Sequence, residues 1–264
     1  MSMWARGESY EPYVGRWSRL VARDFVQWLE MPPGKTWLDV GCGTGALCAA
    51  IVEFGGPEAV TGVDASEDYA AYARERTPDE RVEFQIGNAL ELPFPGASFD
   101  VTVSGLVLNF VKDSQQALSE MVRVTKPGGV VALYVWDYAG EMQSMRYFWD
   151  AAAELDPAAR ERDQGIVFPI CQPEPLERAF ADNGLMNVTV RAIDIPTVFR
   201  DFDDYWNPFL GGQGGAPTYV KTMPEEQRNA LRDALRAKLP TRDDGSIPLI
   251  ARAWAIRGQR PSTR

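Results

Sequence analysis

The sequence predicts an α/β fold, a doubly wound parallel sheet with helices on both faces. Three observations lead there. Between Thr36 and Trp136, short apolar runs alternate with segments of helical periodicity, the order expected of successive strand–helix–strand units. The run Val130–Trp136 is almost wholly apolar, as in a strand covered on both faces. The run ending at Val40 leads directly into Gly41, Gly43 and Gly45 and then a helical pattern. Such a turn lets backbone N–H groups face a ligand where a side chain would block the approach.

Taken in order, Ser18–Leu29 carries Leu20, Val21, Phe25, Trp28 and Leu29 at helical spacing, and Met31-Pro32-Pro33-Gly34 ends it. A strand follows at about 36–40 and a helix at about 46–53, stopped by Gly55-Gly56-Pro57. Ala59–Val63 is a second strand, closed by Asp64, and Ser66 is placed to N-cap a helix reaching about Arg76. Val82–Ile86 and Phe99–Gly105 are the third and fourth strands. A helix over 114–124 then stops at Lys126-Pro127-Gly128-Gly129, before the fifth strand at 130–136. Beyond Trp136 the pattern is less regular. Helices are expected over about 142–161, 174–183 and 224–239, and strands over 187–199 and 249–257. An aromatic and glycine-rich stretch runs from Phe202 to Tyr219. The late strands suit an antiparallel edge pair, and the insertions at about 138–172 and 200–248 suit a lid over a site at the strand C-termini.

Composition narrows the function. The 264 residues suffice for one large domain, and 27 basic against 37 acidic residues give a formal charge of −10. That balance repels phosphate backbones, so no nucleic-acid substrate is expected. No apolar run reaches the roughly 18–20 residues of a membrane span. Met1–Tyr10 shows no basic-then-apolar leader pattern, so a cytoplasmic place is expected. The chain has no histidine, and Cys42, Cys48 and Cys171 have no C-x-x-C spacing. A Cys/His zinc site and imidazole catalysis are thereby ruled out, no metal site is marked, and the cysteines read as reduced packing residues.

The glycine loop marks a nucleotide-type ligand but does not name it. Gly41, Gly43 and Ala46 satisfy G-x-G-x-x-A, and Asp64 lies 23 residues beyond Gly41, where a dinucleotide enzyme places the acid for its ribose. An NAD(P)-dependent oxidoreductase therefore stands as one alternative, and a non-catalytic cofactor-binding protein as another. The rest of the chain favours a third reading. Leu38-Asp39-Val40-Gly41-Cys42-Gly43-Thr44-Gly45 is followed by Gly62-Val63-Asp64-Ala65-Ser66, by Gly87-Asn88-Ala89 with Leu92-Pro93-Phe94, and by Ser98-Phe99-Asp100. Arg123-Val124-Thr125-Lys126-Pro127-Gly128-Gly129 completes the series. In this order and spacing the chain resembles the class I S-adenosylmethionine-dependent methyltransferases, particularly the quinone-biosynthesis-like small-molecule group.

The resemblance implies a Rossmann-like seven-stranded sheet, mostly parallel with an antiparallel last strand, carrying helical and aromatic lid insertions. It implies one methyltransferase domain over 1–264. The cofactor core spans about 36–137, and lid segments cover about 1–30, 138–172 and 200–248. S-adenosyl-L-methionine is the implied cofactor, S-adenosyl-L-homocysteine the product, and a small apolar or aromatic molecule the acceptor. The implied cofactor residues are Gly41 and Gly43 for backbone approach, Asp39 for the ammonium group and Asp64 for the ribose hydroxyls. Ala65 and Leu90 would flank adenine, Ala89 would offer it an N–H, and Ser104 stands where a backbone carbonyl faces the cofactor's amino group. Asn88 replaces an Asp common in the family. Near the N-terminus, Tyr13 and Arg16 would close on the methionine end, Arg16 suiting its carboxylate. The family's histidine after the fourth strand is missing; Asn109 stands there and could orient an acceptor. Asp137, with Trp136 and Tyr138 beside it, is a candidate to orient or deprotonate that acceptor.

Overall fold

The computed structural model describes residues 15–211 and 214–262. In chain order the elements are α1 (Arg16–Leu29), β1 (Thr36–Val40), α2 (Ala46–Phe54), β2 (Ala59–Asp64), α3 (Glu67–Arg76), β3 (Val82–Ile86), β4 (Phe99–Gly105), α4 (Ser114–Val124) and β5 (Thr125–Trp136). There follow α5 (Gln143–Leu155), α6 (Gln164–Val167), α7 (Pro173–Asp182), β6 (Met186–Phe199), α8 (Phe202–Trp206), α9 (Gly215–Thr222), α10 (Glu225–Lys238) and β7 (Ile247–Gln259). The seven strands form one sheet in the order β3-β2-β1-β4-β5-β7-β6. β1 to β5 pair in parallel. β7 runs antiparallel to β5: Gly128 and Arg260 bond at one end, and Asp137 donates to the Arg252 carbonyl at the other. The expected architecture is present, the antiparallel strand included.

By its contacts the chain divides into two compact units. The first comprises residues 18–135, 172–193 and 254–264. Its strands β1, β2 and β4 are buried along nearly their whole length, which is why they read as continuous apolar runs. α1 lays Val21, Ala22, Phe25, Val26 and Leu29 into the core, and the Phe25 ring meets Tyr134 at 4.8 Å. Arg257 caps this helix, donating to the Leu29 carbonyl at 3.1 Å with its guanidinium over the Trp28 ring. The Ser66 side chain accepts from the Tyr69 N–H at the start of α3, the cap the sequence predicts. The fifth strand begins five residues earlier than expected. Thr125 already pairs with Phe99, after which the register shifts before Val101 meets Val130. Lys126-Pro127-Gly128-Gly129 is thus a bulge within an extended strand, with Gly128 at φ +79.

The second unit comprises the N-terminal residues to Trp17 with 136–171 and 194–253. Here the structure corrects the sequence most. The stretch from Phe202 to Tyr219 is helical in its described parts, forming α8, a 3-10 turn at Asn207–Gly211 and α9. Its aromatic residues are core: Phe202, Tyr205, Trp206, Phe209 and Tyr219 are all buried. Phe209 stacks on Phe148 of α5 at 4.6 Å, and Trp149 meets Tyr219 at 5.6 Å. α10 packs on α5, burying only Leu231 and Leu235 from an otherwise charged surface.

Candidate functional site

The glycine loop is built at the C-terminal end of β1, at the point where the strand order reverses between β1 and β4. Gly41, Gly43 and Gly45 take φ of +75, +50 and +84, a region that L-residues with side chains rarely enter. At Gly41 a Cβ would also lie 2.6 Å from both methyls of Val107, so this position admits no side chain on steric grounds as well. Gly43 is different. Among the described residues a Cβ there would meet nothing nearer than the Gly41 carbonyl oxygen at 4.0 Å, so its Cα faces space that they leave open. The Gly41 and Cys42 amides both donate to the Val63 carbonyl at 2.7 and 3.1 Å. Ser104 donates from Oγ to the Val40 carbonyl at 2.7 Å, tying β4 to the end of β1.

Two acids flank the loop. Asp64, at the end of β2, accepts from the Gly43 N–H through Oδ2 and from the Ser66 N–H through Oδ1, both at 2.9 Å. Burial raises its carboxyl above the usual range, while the Ser66, Gly43 and Ala65 amides pull the other way. Asp39 is 1% exposed. Its Oδ2 accepts from the Cys48 thiol at 3.2 Å, and its Oδ1 is buried without a partner. Burial pushes this carboxyl up to about 7; the Cys48 hydrogen bond opposes the rise and the nearby Asp64 charge adds to it.

The remaining expected residues of this unit lie around β3 and β4. Asn88 is exposed, and its Oδ1 accepts from the Leu90 N–H at 3.0 Å in an Asx-type turn. Ala65 is exposed and Ala89 half-buried. After β4, Leu106 takes φ +61 and donates its N–H to the Tyr134 carbonyl. Asn109 sits in the 3-10 turn Leu108–Phe110, and its Nδ2 is buried without a partner.

In the other unit, Asp137 follows β5 and is 3% exposed. Its Oδ1 accepts from the Gly140 N–H at 3.0 Å and its Oδ2 from the Glu141 N–H at 2.9 Å, so it closes a tight turn. Trp136 and Tyr138 beside it are buried. Arg16 donates from Nη1 to both oxygens of Asp204 at 3.1 Å, and its guanidinium lies 4.5 Å from the Trp17 ring centre and 5.0 Å from that of Phe199. Its Nε and Nη2 are buried and unpartnered. Arg81, Arg123 and Arg252 each spend that same edge on a carboxylate, the two-toothed geometry that suits a planar oxyanion. Tyr13 lies outside the described residues. Among the described residues no group of Cys, Asp and Glu is arranged to hold a metal ion. No described helix is long and apolar enough to cross a membrane.

The family described as "Methyltransferase domain" matches residues 38–133. The demethylmenaquinone methyltransferase of Staphylococcus aureus (strain JH9) is 33% identical over 188 residues, which cover 67% of this chain and 76% of that protein. The chain belongs to the class I S-adenosylmethionine-dependent methyltransferases. The 2-methyl-6-phytyl-1,4-hydroquinone methyltransferase of Synechocystis sp. is 30% identical over 203 residues, covering 74% of this chain and 62% of the relative. The chain spans 62% and 48% of the length of the first curated relatives it matches. Among solved structures, Haemonchus contortus phosphoethanolamine N-methyltransferase 2, in complex with S-adenosyl-L-methionine, has a TM-score of 0.60 at 20% identity. That match covers 97% of this chain and 57% of that one, and it speaks to the fold.

S-adenosylmethionine is the cofactor of that family, and the loop residues fit it on two counts. Asp39 carries a buried acceptor with no donor among the described residues, as a site for an ammonium group requires. The Cα of Gly43 faces space that the described residues leave open at the centre of the loop. The nicotinamide and non-catalytic alternatives receive no support from the relatives. Sequence reasoning missed Cys48 and Val107. Cys48 stands nine residues from Asp39 on another element, and Val107 fills the space beside Gly41. No periodicity or motif signals either contact.

Proposed function

We propose that this protein is a cytoplasmic enzyme that transfers the methyl group of S-adenosylmethionine to a small, apolar, ring-bearing acceptor of quinone type. The observation that carries this reading is the glycine loop flanked by the half-buried Asp64 and the buried Asp39, which keeps an oxygen unspent, in a chain whose relatives are quinone methyltransferases. S-adenosylmethionine supplies, when bound, a methyl carbon already activated by a sulfonium.

The chain's own residues then have to bind, align and exclude water. Gly43 keeps the loop backbone clear of a side chain on the ligand face, and Gly41 lets the chain turn closely past Val107. Asp64 has lone pairs left beyond its two amide bonds, enough for two ribose hydroxyls. Asp39 turns its free oxygen to the ammonium, and Ala65 and Leu90 flank the adenine. Ala89 offers it a backbone N–H, while Asn88 keeps its turn and presents the rest of its amide. The Ser104 hydroxyl is spent on Val40 and its backbone lies in the β4–β5 ladder, so its carbonyl would meet the cofactor's amino group with its second lone pair. Arg16 presents its empty Nε/Nη2 edge to a ligand carboxylate, with Tyr13 beside it in sequence. In a chain without histidine, Asn109 orients the acceptor through its unpaired Nδ2–H. For Asp137 to take a proton, it would have to loosen its hold on the Gly140 and Glu141 amides.

Thermal-shift titration with S-adenosylmethionine, S-adenosylhomocysteine and NAD tests the cofactor half of the reading, since a ligand that binds only the native state raises Tm. Stabilisation by both adenosyl ligands is expected; stabilisation by NAD alone would overturn it. Transfer of labelled methyl to a panel of hydroquinones and to hydrophilic amines tests the acceptor half, and label appearing only in the amines would defeat it.

A further inference from the structure

Asp39 is held in an unusual way for a buried acid. One oxygen accepts from a thiol, a weak donor, and the other accepts from nothing. A buried acceptor left unmade costs about 1–3 kcal/mol, and more when charged. Of the groups that face it, Cys48 eases its charge through the thiol and the backbone amide, while Asp64 adds to the burden. Cys48 comes from α2, Cys42 from the loop and Asp64 from β2. Among the described residues the cation acting on this cluster is Arg74 of α3, which influences Cys42 and donates to the Phe84 carbonyl at 2.7 Å.

We propose that Cys48 is a positioning residue for the cofactor's ammonium group: its thiol holds one oxygen of Asp39, fixes the plane of the carboxylate and leaves the other oxygen for the ligand. This rests on reading the loop as the cofactor site. Burial keeps the Cys48 thiol protonated throughout the neutral range, its pKa standing well above the ordinary value, so it remains a donor whatever Asp39 does. Asp39 itself titrates near neutrality because it is buried. In the free protein below that point its O–H bond is intact. When an ammonium arrives, the ionised form becomes the favoured one; the O–H bond breaks, the proton passes to solvent buffer, and an N–H···O contact takes its place. Cofactor binding therefore releases a proton. Cys48 eases the release, because a hydrogen bond to the carboxylate favours its charged form.

Calorimetric titration of the full chain with S-adenosylhomocysteine, between about pH 5.5 and 7.5 in buffers of different ionisation heat, reads both effects. The affinity is expected to rise with pH, approaching about ten-fold per unit on the acid side, and to level off near about 7. The heat should differ between buffers as one released proton requires. Cys48→Ala should move the levelling point to higher pH, Cys48→Ser should restore it, and Asp39→Asn should flatten the profile. Cys48→Val, close in volume and without a donor, serves if Cys48→Ala does not fold. A donor-less variant whose profile superimposes on the wild type overturns the assignment, as does a flat wild-type profile with tight binding. Absence of binding at every pH would sink the cofactor reading with it, which separates the two failures.

Discussion

Asp39 and Asp137 are both buried acids at the C-terminal end of sheet strands, and they are held in opposite ways. Asp137 gives each oxygen a backbone amide within four residues, at 2.9 and 3.0 Å. Asp39 has one thiol at 3.2 Å and one oxygen without a partner. A saturated buried acid lowers the energy of the fold around it, whereas an unsaturated one raises it until something else completes it. The contrast separates an acid whose two oxygens are spent on a turn from one that keeps an oxygen unspent, although burial alone does not distinguish them.

Four substitutions can break or sharpen this contrast, the largest effect first. Asp64→Ala removes the acceptor of two loop amides and of the expected ribose contacts. S-adenosylhomocysteine affinity should fall about 100-fold by calorimetry, the weight of one or two charge-assisted hydrogen bonds; an unchanged Kd would remove Asp64 from the site. Asp137→Asn places an amide NH2 against one of the Gly140 or Glu141 N–H groups, so urea unfolding should show a loss of about 2 kcal/mol with cofactor affinity intact. Full stability together with lost methyl transfer would instead make Asp137 the catalytic group.

Asp39→Asn acts in the other direction. The folded-state carboxyl is raised to about 7 from 3.8, so the stability it contributes is present at low pH and is lost as pH rises toward and through 7. At about pH 8 the Asn variant should be more stable than the wild type by about 1–2 kcal/mol, and the gap should close near pH 4. Its cofactor affinity should drop about ten-fold. Equal stability at both pH values would mean that Asp39 is satisfied in the free protein. Asn88→Asp is the smallest change. The residue is exposed, and either side chain can accept from the Leu90 N–H, so stability should stay within about 0.5 kcal/mol. Affinity for S-adenosylhomocysteine should rise a few-fold if this position meets the adenine amino group, and should not move if it serves the turn alone.

Local signals made the first half of the fold legible. Ser66 announces the start of α3, Gly55-Gly56 the end of α2, and the apolar runs of β1, β2 and β4 reflect burial on both faces. Legibility failed where one signal had two uses. The stretch from Phe202 to Tyr219 reads as lid material for its aromatic residues and glycines, yet Gly211 and Gly215 bound short helices whose aromatic side chains fill a core. Lys126-Pro127-Gly128-Gly129 reads as a stop, but the strand absorbs it as a bulge because Phe99 already pairs with Thr125. At the site, the glycine pattern and the spacing to Asp64 were visible. The Cys48 contact was not, since it joins a strand to a helix and leaves no periodic trace. The Asx turn of Asn88 and the saturation of Asp137 were likewise hidden, because a side chain's partner cannot be read from its identity.

The loop amides of Gly41, Cys42 and Gly43 are tied to Val63 and Asp64 by the fold itself. The ordering entropy of this segment is therefore spent during folding, and little is left to spend at encounter. Association with S-adenosylhomocysteine at this loop should follow a single exponential whose rate climbs linearly with ligand concentration, with no slow isomerisation behind it.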